Sequence, residues 1–246
     1  MSKRQQIRKG ITLLMFFLFP ITITWLSPAL PLIYAIFGGV LTGAAMIFIL
    51  QFISSLFLGR AFCGYLCIGS GIHECLKCIG DKEIKNPKIR FIKYIIWIPW
   101  LLAIIYFFIK TGGINQVDFF AGTLHNYMFL TASYRYIIYF GVILLITLLH
   151  ISVGKRAFCY TVCWMSPFMV IGTKMSELLR LPRLRLKANQ DTCINCNLCT
   201  KKCPMSLDVK SMVLNNNMKN SECILCGECV DVCPKGVLEY IFKKRV

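Results

Sequence analysis

Uncharged apolar residues dominate the first quarter of the chain. No Asp, Glu, Lys or Arg occurs from Ile11 to Gly59. Because one helix needs about 20 residues to cross the hydrocarbon core of a bilayer, this run is long enough for two crossings. Pro28 and the pair Gly38 and Gly39 interrupt helical structure near its middle. The pattern therefore predicts two membrane-spanning helices joined by a turn.

Two later stretches have the same uncharged, apolar character. The first, Tyr94–Ile109, is short, but Lys93 and Lys110 can lengthen it by extending their ammonium groups to the two interfaces. The second is Tyr136–Val153. Since backbone polar groups in lipid must be satisfied within the segment, all four stretches are expected to be α-helices. Residues 114–133 predict an outer-face loop with an interfacial helix, or a re-entrant segment.

Composition excludes several classes of protein. The 246 residues are 57% hydrophobic and 16% charged, which is too apolar for a disordered chain or an ordinary soluble domain. The net charge of +17 at first suggests a nucleic-acid-binding protein. However, every Lys and Arg except Lys110 and Arg135 lies before the first predicted span, between the second and third, or after the fourth.

These basic positions share one side of a four-span protein, and the positive-inside rule makes that side cytoplasmic. We therefore expect a multi-pass protein of the inner (cytoplasmic) membrane, surrounded by lipid, with both termini in the cytoplasm and no nucleic-acid partner. The basic start of the chain is typical of a secretory signal, but no small-residue cleavage site follows it. A retained first helix is therefore expected.

The composition changes sharply after Arg180. Residues 181–187, LPRLRLK, are basic and contain proline, and we interpret them as a linker at the membrane surface. Beyond them, the run Cys-x2-Cys-x2-Cys-x3-Cys-Pro occurs twice, starting at Cys193 and at Cys223. The sequence thus predicts a membrane domain over residues 1–180, this linker, and a C-terminal domain over residues 188–246.

The repeated run has the spacing by which bacterial ferredoxins hold two [4Fe–4S] clusters. Three thiolates on a tight loop bind one cluster, and the fourth, beyond a bend set by proline, reaches the other. Zinc sites do not require this spacing, and disulfides are disfavoured in the cytoplasm. One predicted ligand set is Cys193, Cys196, Cys199 and Cys233, and the other is Cys203, Cys223, Cys226 and Cys229.

Charged residues surround these cysteines, and two interpretations stay open. A mildly basic rim favours an acidic redox partner, whereas an ordinary solvated face carries no such meaning. The basic residues are Lys201, Lys202, Lys210, Lys219 and Lys235, and the acidic ones are Asp208, Glu222, Glu228 and Asp231.

A second repeat lies in the predicted membrane domain. The motif Arg-Ala-Phe-Cys-x-x-x-Cys begins at Arg60 and again at Arg156, each time just past the cytoplasmic end of a predicted span. Cysteines four residues apart share one face of a helix, so two such helices packed as pseudo-symmetric mates bring four thiols together. Four thiolates can hold a metal or an iron–sulfur centre, with redox-active thiol pairs and simple packing as alternatives. These cysteines are Cys63, Cys67, Cys159 and Cys163.

Other candidate residues are less specific. Cys75 and Cys78 follow only the first motif, and with His73 they either ligate a metal or are incidental on an amphipathic helix. His150, late in the fourth predicted span, is interpreted as an interfacial histidine, with quinone binding near His150 or His73 as the alternative.

Two CxxxC motifs beside predicted spans, joined to a C-terminal two-cluster run, resemble the membrane polyferredoxin family. Its members include the NapH-, NosR- and CcoG-type proteins. The resemblance extends from about the second predicted span to Pro234. Ile68 and Trp164 stand where the family usually has a proline after each CxxxC, so the chain resembles a divergent member.

The expected fold is an α-helical membrane protein with four transmembrane helices in two pseudo-repeats, followed by an α+β two-cluster ferredoxin domain. The resemblance implies an electron-transfer subunit without a substrate site of its own. Such a subunit relays electrons between a soluble ferredoxin- or flavin-type protein and a membrane partner or quinone pool, beside other subunits of a membrane redox complex. The alternative is a metalloenzyme maturation or redox-sensing protein that uses the CxxxC thiols.

Overall fold

The structure, a computed structural model, describes residues 2–84, 86–122 and 133–243, and most of its regular elements are helices. The first ten helices are α1 Lys3–Phe17, α2 Phe19–Thr22, α3 Ala29–Gly38, α4 Gly43–Leu58, α5 Ala61–Tyr65, α6 Ile68–Leu76, α7 Ile92–Lys110, α8 Ser133–Ser152, α9 Ala157–Thr161 and α10 Met165–Leu178. The remaining elements are α11 Leu198–Lys201, α12 Val209–Leu214, α13 Glu228–Asp231, the strands β1 Val40–Thr42, β2 Gln116–Asp118, β3 Arg183–Ala188 and β4 Leu238–Lys243, and the 3-10 helices Pro87–Phe91 and Gln190–Thr192.

One helix in the described part of the chain is long and apolar enough to cross a membrane. It is Lys88–Lys110, in which a 3-10 turn leads into α7, and only 11% of its most apolar stretch is buried. The apolar helices Ala29–Gly38, Gly43–Leu58 and Tyr136–Ser152 are shorter. A 16-residue helix such as α4 is only about 24 Å long, less than a typical hydrocarbon core. Helix length thus does not confirm the four predicted spans.

Lys93 does not reach an interface as the sequence suggested. Its side chain is fully buried, and its ammonium group forms an ion pair with Glu222 at 2.7 Å. The predicted role of Lys93 in lengthening α7 is therefore wrong, because the carboxylate of Glu222, from the C-terminal part of the chain, neutralises the Lys93 ammonium group inside the protein.

Helix α1 buries polar side chains and exposes apolar ones. Gln5, Arg8 and Thr12 share one buried stripe at helical spacing. On the other side, Ile7 is 63% exposed and Phe17 is 75% exposed. This is the reverse of a helix on a soluble protein, whose apolar stripe faces the core.

The two CxxxC motifs lie in equivalent places within the fold. Along the chain, the first motif includes α5 and lies between α4 and α6, and the second includes α9 and lies between α8 and α10. The packing crosses over between the copies, because α10 packs against α4 and α6 packs against α8. The helix that follows each motif thus contacts the long helix that precedes the other one, as in an internal repeat.

Residues 114–122 form part of the loop between α7 and α8. Within it, β2 pairs in parallel with β1, with Val40 opposite Gln116 and Thr42 opposite Asp118. The interfacial helix or re-entrant segment predicted for residues 114–133 falls largely on residues 123–132, which lie outside the described residues.

The tail, residues 181–243, is built around a two-stranded sheet and three short helices. Strand β3 pairs antiparallel with β4, with Arg183 opposite Lys243 and Ala188 opposite Leu238. Most of the stretch interpreted as a linker is thus part of a strand. In β3 the leucines alternate with cations, which is the period-two pattern of a half-buried strand.

The tail docks directly on the helical part, residues 2–180. Gly64 in α5 lies against the backbone of the tail, since a Cβ placed there would be 2.5 Å from the Ile224 carbonyl oxygen. A side chain at this position would separate the turn of the first CxxxC motif from the cysteine loop of the tail. The two cysteine-rich regions are therefore in contact through backbone atoms.

We expect Gly71→Ala to destabilise the packing of α6 on α1. A Cβ at Gly71 would overlap the Thr12 carbonyl oxygen and lie 2.9 Å from Phe16 Cβ. Overpacking of this kind costs about 1–3 kcal/mol, which in a chain of this size lowers Tm by roughly 2–4 °C per kcal/mol. The measurement is thermal unfolding of the detergent-purified protein.

The matched control is Gly10→Ala in α1. No atom lies within 4 Å of a Cβ placed there, so the higher helix propensity of alanine should leave Tm unchanged or raise it. Equal Tm values for the two variants would contradict the close α1–α6 contact.

Candidate functional site

The tail contains two separate cavities, each lined by four cysteines. The first is lined by Cys193, Cys196, Cys199 and Cys233, which we call the outer set. The second is lined by Cys203, Cys223, Cys226 and Cys229, which we call the inner set. These are the two groupings that the spacing predicts, with one cysteine of each set supplied by the other Cys-x2-Cys-x2-Cys run.

The two sets differ in exposure. In the outer set Cys196 is exposed and the other three cysteines are half-buried. In the inner set Cys203, Cys226 and Cys229 are buried and only Cys223 is half-buried. The outer set therefore faces solvent, whereas the inner set lies against the helical part.

The chemistry of the inner thiols fits a metal cluster. Burial raises the pKa of the Cys203 thiol to about 12 and that of the Cys223 thiol to about 11. It also raises the pKa of Cys229, with the nearby Cys226 and Cys223 adding to the effect. A bound cation reverses this balance and deprotonates the coordinating thiols. Four such thiols around one cavity are a suitable donor set for [4Fe–4S].

The structure brings the four CxxxC cysteines together, but not on helix faces. Cys63 lies within α5 and Cys159 within α9, whereas Cys67 and Cys163 lie beyond the ends of those helices. Each motif therefore spans the turn between two helices. The expected pair of cysteines on one helical face is wrong, because each short helix ends two residues before the second cysteine.

Hydrogen bonds around the two motifs are equivalent. Arg60 donates across the repeat to Ser166 Oγ at 2.9 Å, and Arg156 donates back to Ser70 Oγ at 2.7 Å. Each serine lies in the helix that follows the opposite motif. The paired bonds hold the two turns side by side in a pseudo-symmetric arrangement.

The four CxxxC thiols lie close enough to influence one another. Burial, together with the neighbouring Cys63 and Cys159, raises the pKa of Cys67 to about 12. The pKa of Cys163 is likewise raised by burial and then by the other three thiols. The charges of Arg156 and Arg60 act in the opposite direction on the pKa of Cys159. The site therefore combines crowded thiols with cations able to stabilise negative charge.

An apolar cavity of about 290 Å³ opens next to three of these cysteines. Cys67, Cys159 and Cys163 line it, together with Trp164 and apolar side chains of α2, α3, α6 and α8. Cys63 is outside the lining of this cavity, and its Sγ lies 3.3 Å from the Met169 Sδ. In the described part of the chain, no three His, Cys, Asp or Glu side chains form a tight group for a single metal ion.

A buried carboxylate joins the inner set to the first CxxxC motif. Glu222, directly before Cys223, is 2% exposed and accepts hydrogen bonds from Arg60 at 2.6 Å and from Lys93 at 2.7 Å. Burial by itself would raise the pKa of the Glu222 carboxyl, but the charges of Arg60 and Lys93 outweigh it and lower that pKa. The glutamate therefore stays ionised in a nearly dry contact.

The N-terminal helix makes a second charged contact with the inner set. Arg8 forms ion pairs with Glu228 at 2.7 Å and with Glu74 at 2.9 Å. Gln5 Nε2 donates to the Cys226 carbonyl oxygen at 3.0 Å. Arg4 pairs with Asp231 at 2.7 Å.

These contacts correct the interpretation of the tail as having a solvated charged rim. Of the four acidic residues named around the cysteines, Glu222, Glu228 and Asp231 pair with cations of the helical part. They are used within the protein and are not on a free face. A charge count along the sequence could not detect this, because their partners are more than 100 residues away.

Sequence reasoning also missed a pair of histidines. The Nδ1 atoms of His73 in α6 and His150 in α8 are 3.4 Å apart, and His150 Nε2 lies 2.9 Å from the Gly80 carbonyl oxygen. Both side chains are buried, so His150 is not an interfacial residue here.

Cys75 and Cys78 are exposed, and they lie outside the outer set, the inner set and the CxxxC motifs.

Comparisons with known proteins agree with the tail geometry. Residues 185–234 match the family described as 4Fe-4S dicluster domain. The uncharacterized protein MJ0749 of Methanocaldococcus jannaschii is 26% identical over 204 residues, which is 78% of this chain and 68% of that protein. YccM of Escherichia coli, whose name describes an electron transport protein, is 27% identical over 78% of this chain, which spans about half (54%) of YccM.

A shorter similarity links the chain to a larger enzyme. NAD(P)H-quinone oxidoreductase subunit I of Gloeobacter violaceus is 33% identical over 66 residues, or 23% of this chain and 32% of that subunit. No solved structure is significantly similar to the chain. The dicluster domain and the named relatives together support an iron–sulfur electron-transport function.

Proposed function

We propose that this protein is a membrane-bound electron-transfer subunit with three redox sites. The outer and inner sets each hold a [4Fe–4S] cluster. Cys63, Cys67, Cys159 and Cys163 hold a further iron–sulfur centre at the membrane face. A soluble redox protein of the ferredoxin or flavin type docks at the outer set, and a membrane subunit or quinone exchanges electrons at the opposite end.

The observation that carries this proposal is the spatial order of the three cysteine sets. The outer set is open to solvent, and the inner set is buried against the helical part. Glu222 precedes a cysteine of the inner set and pairs with Arg60, which precedes the first CxxxC motif. Gly64, between the two cysteines of that motif, approaches the loop of the inner set. These contacts support an order that runs from the exposed outer set through the inner set to the CxxxC cysteines.

The residues around these sets perform tasks that electron transfer requires. Each bound cluster takes up and releases one electron at a time. Helix α1 and the first CxxxC turn contact the loop of the inner set, three of whose cysteines are buried from water. Arg60 and Arg156 supply positive charge near the CxxxC thiols. The ion pairs hold the tail at a fixed distance from the helical part.

Several observations support a membrane location. Lys88–Lys110 contains an apolar window of 18 residues that is only 11% buried, and α1 exposes its apolar side. Two of the shorter apolar helices, Gly43–Leu58 and Tyr136–Ser152, lie in stretches that the hydrophobic pattern predicts to be spans, whereas Ala29–Gly38 lies at the predicted turn between the first two. With the basic residues on one side, the proposal is a four-span protein with both termini in the cytoplasm.

A specific contact favours a second candidate function, which is metalloenzyme maturation or redox sensing by the CxxxC thiols. The Cys63 Sγ lies 3.3 Å from the Met169 thioether, so two soft sulfur atoms face each other. Thiol and thioether ligands select soft metal ions. A maturation factor is dispensable once its target enzyme is assembled, whereas an electron-transfer subunit copurifies with its complex and is needed for every turnover.

Iron and acid-labile sulfide per chain test the proposal. Anaerobically purified protein should contain more than about eight iron atoms, and about twelve if the third centre is also [4Fe–4S]. The double variant Cys63→Ser/Cys159→Ser should return to about eight, because the tail sets are untouched. The double variant Cys75→Ser/Cys78→Ser is the matched control and should leave the iron content unchanged, since these cysteines lie outside the sets.

About eight iron atoms in all three proteins would remove the third centre. The CxxxC cysteines would then serve thiol chemistry or packing, and the second candidate function would be preferred. A drop in the Cys75/Cys78 control would show that an exposed pair contributes ligands, contrary to the proposal.

Glu222→Gln should weaken the docking of the tail. It leaves Arg60 and Lys93 buried without their carboxylate, and removing one partner of such a contact costs about 3–5 kcal/mol. On heating, the variant should lose the visible absorbance of its clusters at a clearly lower temperature than the unaltered chain. Adding Lys93→Met to the variant removes one surplus charge and should recover part of the loss.

Glu239→Gln provides the control for Glu222→Gln. Glu239 pairs with Lys187 on the surface, where both side chains are more than 60% exposed, and surface pairs contribute about 0–1 kcal/mol. If both variants lose their clusters at the same temperature, the buried contact does not hold the tail in place.

A further inference from the structure

A further cavity lies where the helical part meets β3. It has a volume of about 250 Å³ and opens between Gly59 and Arg60 at the end of α4, Thr173 of α10, strand β3, and the loop 216–220. We call it the basic pocket. It touches the inner set only at Cys223.

Cationic side chains dominate the polar lining of the basic pocket. Among its described lining residues are five cations and no carboxylate; the cations are Arg60, Arg183, Arg185, Lys187 and Lys219. Three of them come from one face of β3, because alternate residues of a strand point to the same side. The leucines between them, Leu184 and Leu186, pack in the core of the tail and also border the pocket.

Several buried donors of this pocket have no partner in the described part of the chain. They are the Nε atoms of Arg60, Arg183 and Arg185 and the Nη2 atom of Arg185. Arg60 is 1% exposed and Arg183 is 7% exposed, so solvent does not satisfy them freely. A buried charged donor without an acceptor costs more than the roughly 1–3 kcal/mol of a neutral one. Four such donors around one cavity point to an acceptor-rich occupant.

The charges in the pocket are unequally compensated. Arg60 pairs with Glu222 and Arg183 pairs with Glu177, both from outside the cavity lining. Lys187 pairs with the exposed Glu239. No ion pair of the described residues includes Arg185 or Lys219, so the pocket keeps a net positive charge.

We infer that the basic pocket binds a phosphate group. The guanidinium fork offers planar pairs of N–H donors that match the oxygens of a phosphate, and a phosphate supplies several acceptors with negative charge. The side-chain oxygens of Asn217 and Asn220 already accept bonds from the backbone N–H groups of Lys219 and Glu222. Their NH2 groups therefore add further donors beside the arginines.

Two sources can supply this phosphate, namely the headgroup of an anionic phospholipid and a free phosphate ion. Leu58, directly before the lining residue Gly59, is an exposed apolar side chain. Leu178 and Leu179, directly after the Arg183 partner Glu177, are exposed as well. Acyl chains can cover these residues while the headgroup sits among the cations, as basic pockets on the cytoplasmic side of membrane proteins do. These residues favour the lipid as the source. The choice of a lipid rests on the proposed membrane location, whereas phosphate binding by the pocket does not rest on it.

The test uses the full chain with its clusters loaded, purified in detergent and washed free of lipid. Isothermal titration calorimetry measures binding of inorganic phosphate and, separately, of short-chain phosphatidylglycerol. We expect one saturable site per chain. Arg185→Gln should weaken affinity roughly tenfold or more, because a charge-assisted pair of hydrogen bonds is lost.

Lys174→Gln is the matched control for Arg185→Gln. It also removes one positive charge, from an exposed position next to the lining residue Thr173. Its affinity should equal that of the unaltered chain if the pocket itself binds the ligand. If phosphatidylglycerol binds more tightly than phosphate, the source is a lipid headgroup. If phosphate binds as tightly as phosphatidylglycerol, the source is a free phosphate ion.

A second readout concerns Cys223, which lines the pocket. An anion bound there adds negative charge beside the inner set, so its cluster should take up an electron at a more negative midpoint potential. The inference is overturned if neither probe binds saturably, or if Arg185→Gln and Lys174→Gln weaken binding equally. Iron content measured on the same samples separates this failure from failure of the electron-transfer proposal.

Discussion

The contact between Glu222, Arg60 and Lys93 determines how the two parts of the protein fit together. All three side chains are nearly inaccessible to solvent, and Ser166 accepts hydrogen bonds from both cations. Moving such charges out of water costs several kcal/mol per ion, so the contact is stable only when every partner is in place. This requirement fixes the tail cysteines in relation to the CxxxC turns more strictly than apolar packing would.

The same contact explains why the tail docks on one side of a pseudo-symmetric helical part. Arg60 and Arg156 are equivalent in sequence and each bonds the serine of the opposite repeat. Their carboxylates differ, because Arg60 pairs with Glu222 of the tail, whereas Arg156 lies 3.9 Å from Glu74 within the helical part. The backbone is thus repeated, and the source of the compensating charge breaks the symmetry.

Local spacing predicts much of the candidate site, while long-range charge pairing escapes it. The Cys-x2-Cys-x2-Cys-x3-Cys-Pro runs specify which cysteines share a cavity, because three thiols lie on one tight loop and the fourth, beyond the bend set by proline, reaches the other loop. The repeat of Arg-Ala-Phe-Cys-x-x-x-Cys likewise indicates that two turns belong together. The burial of Glu222 depends on Lys93, a partner 129 residues away, and no local pattern reports it.

Strand β3 shows a signal that was present in the sequence and outweighed by composition. Its alternation of Arg or Lys with Leu has the period of a strand, but its basic character and proline suggested a linker.

For the first predicted spans, the hydrophobic pattern overestimated the length of the helices. The apolar run from residue 11 to 59 predicts two long spans, whereas the structure divides it among α1, α2, α3 and α4, since Pro28 and Gly39 limit helix extension.

The interdependence of the two parts argues against a tail that is merely tethered to a membrane anchor. A tether needs only a linker, yet α1 directs Gln5 and Arg8 toward the tail, where they bond Cys226 and Glu228. Without the tail, Gln5 would lose its acceptor at Cys226 and Arg8 would lose its ion pair with Glu228. The helical part is therefore complete only when the inner cysteine set is docked on it.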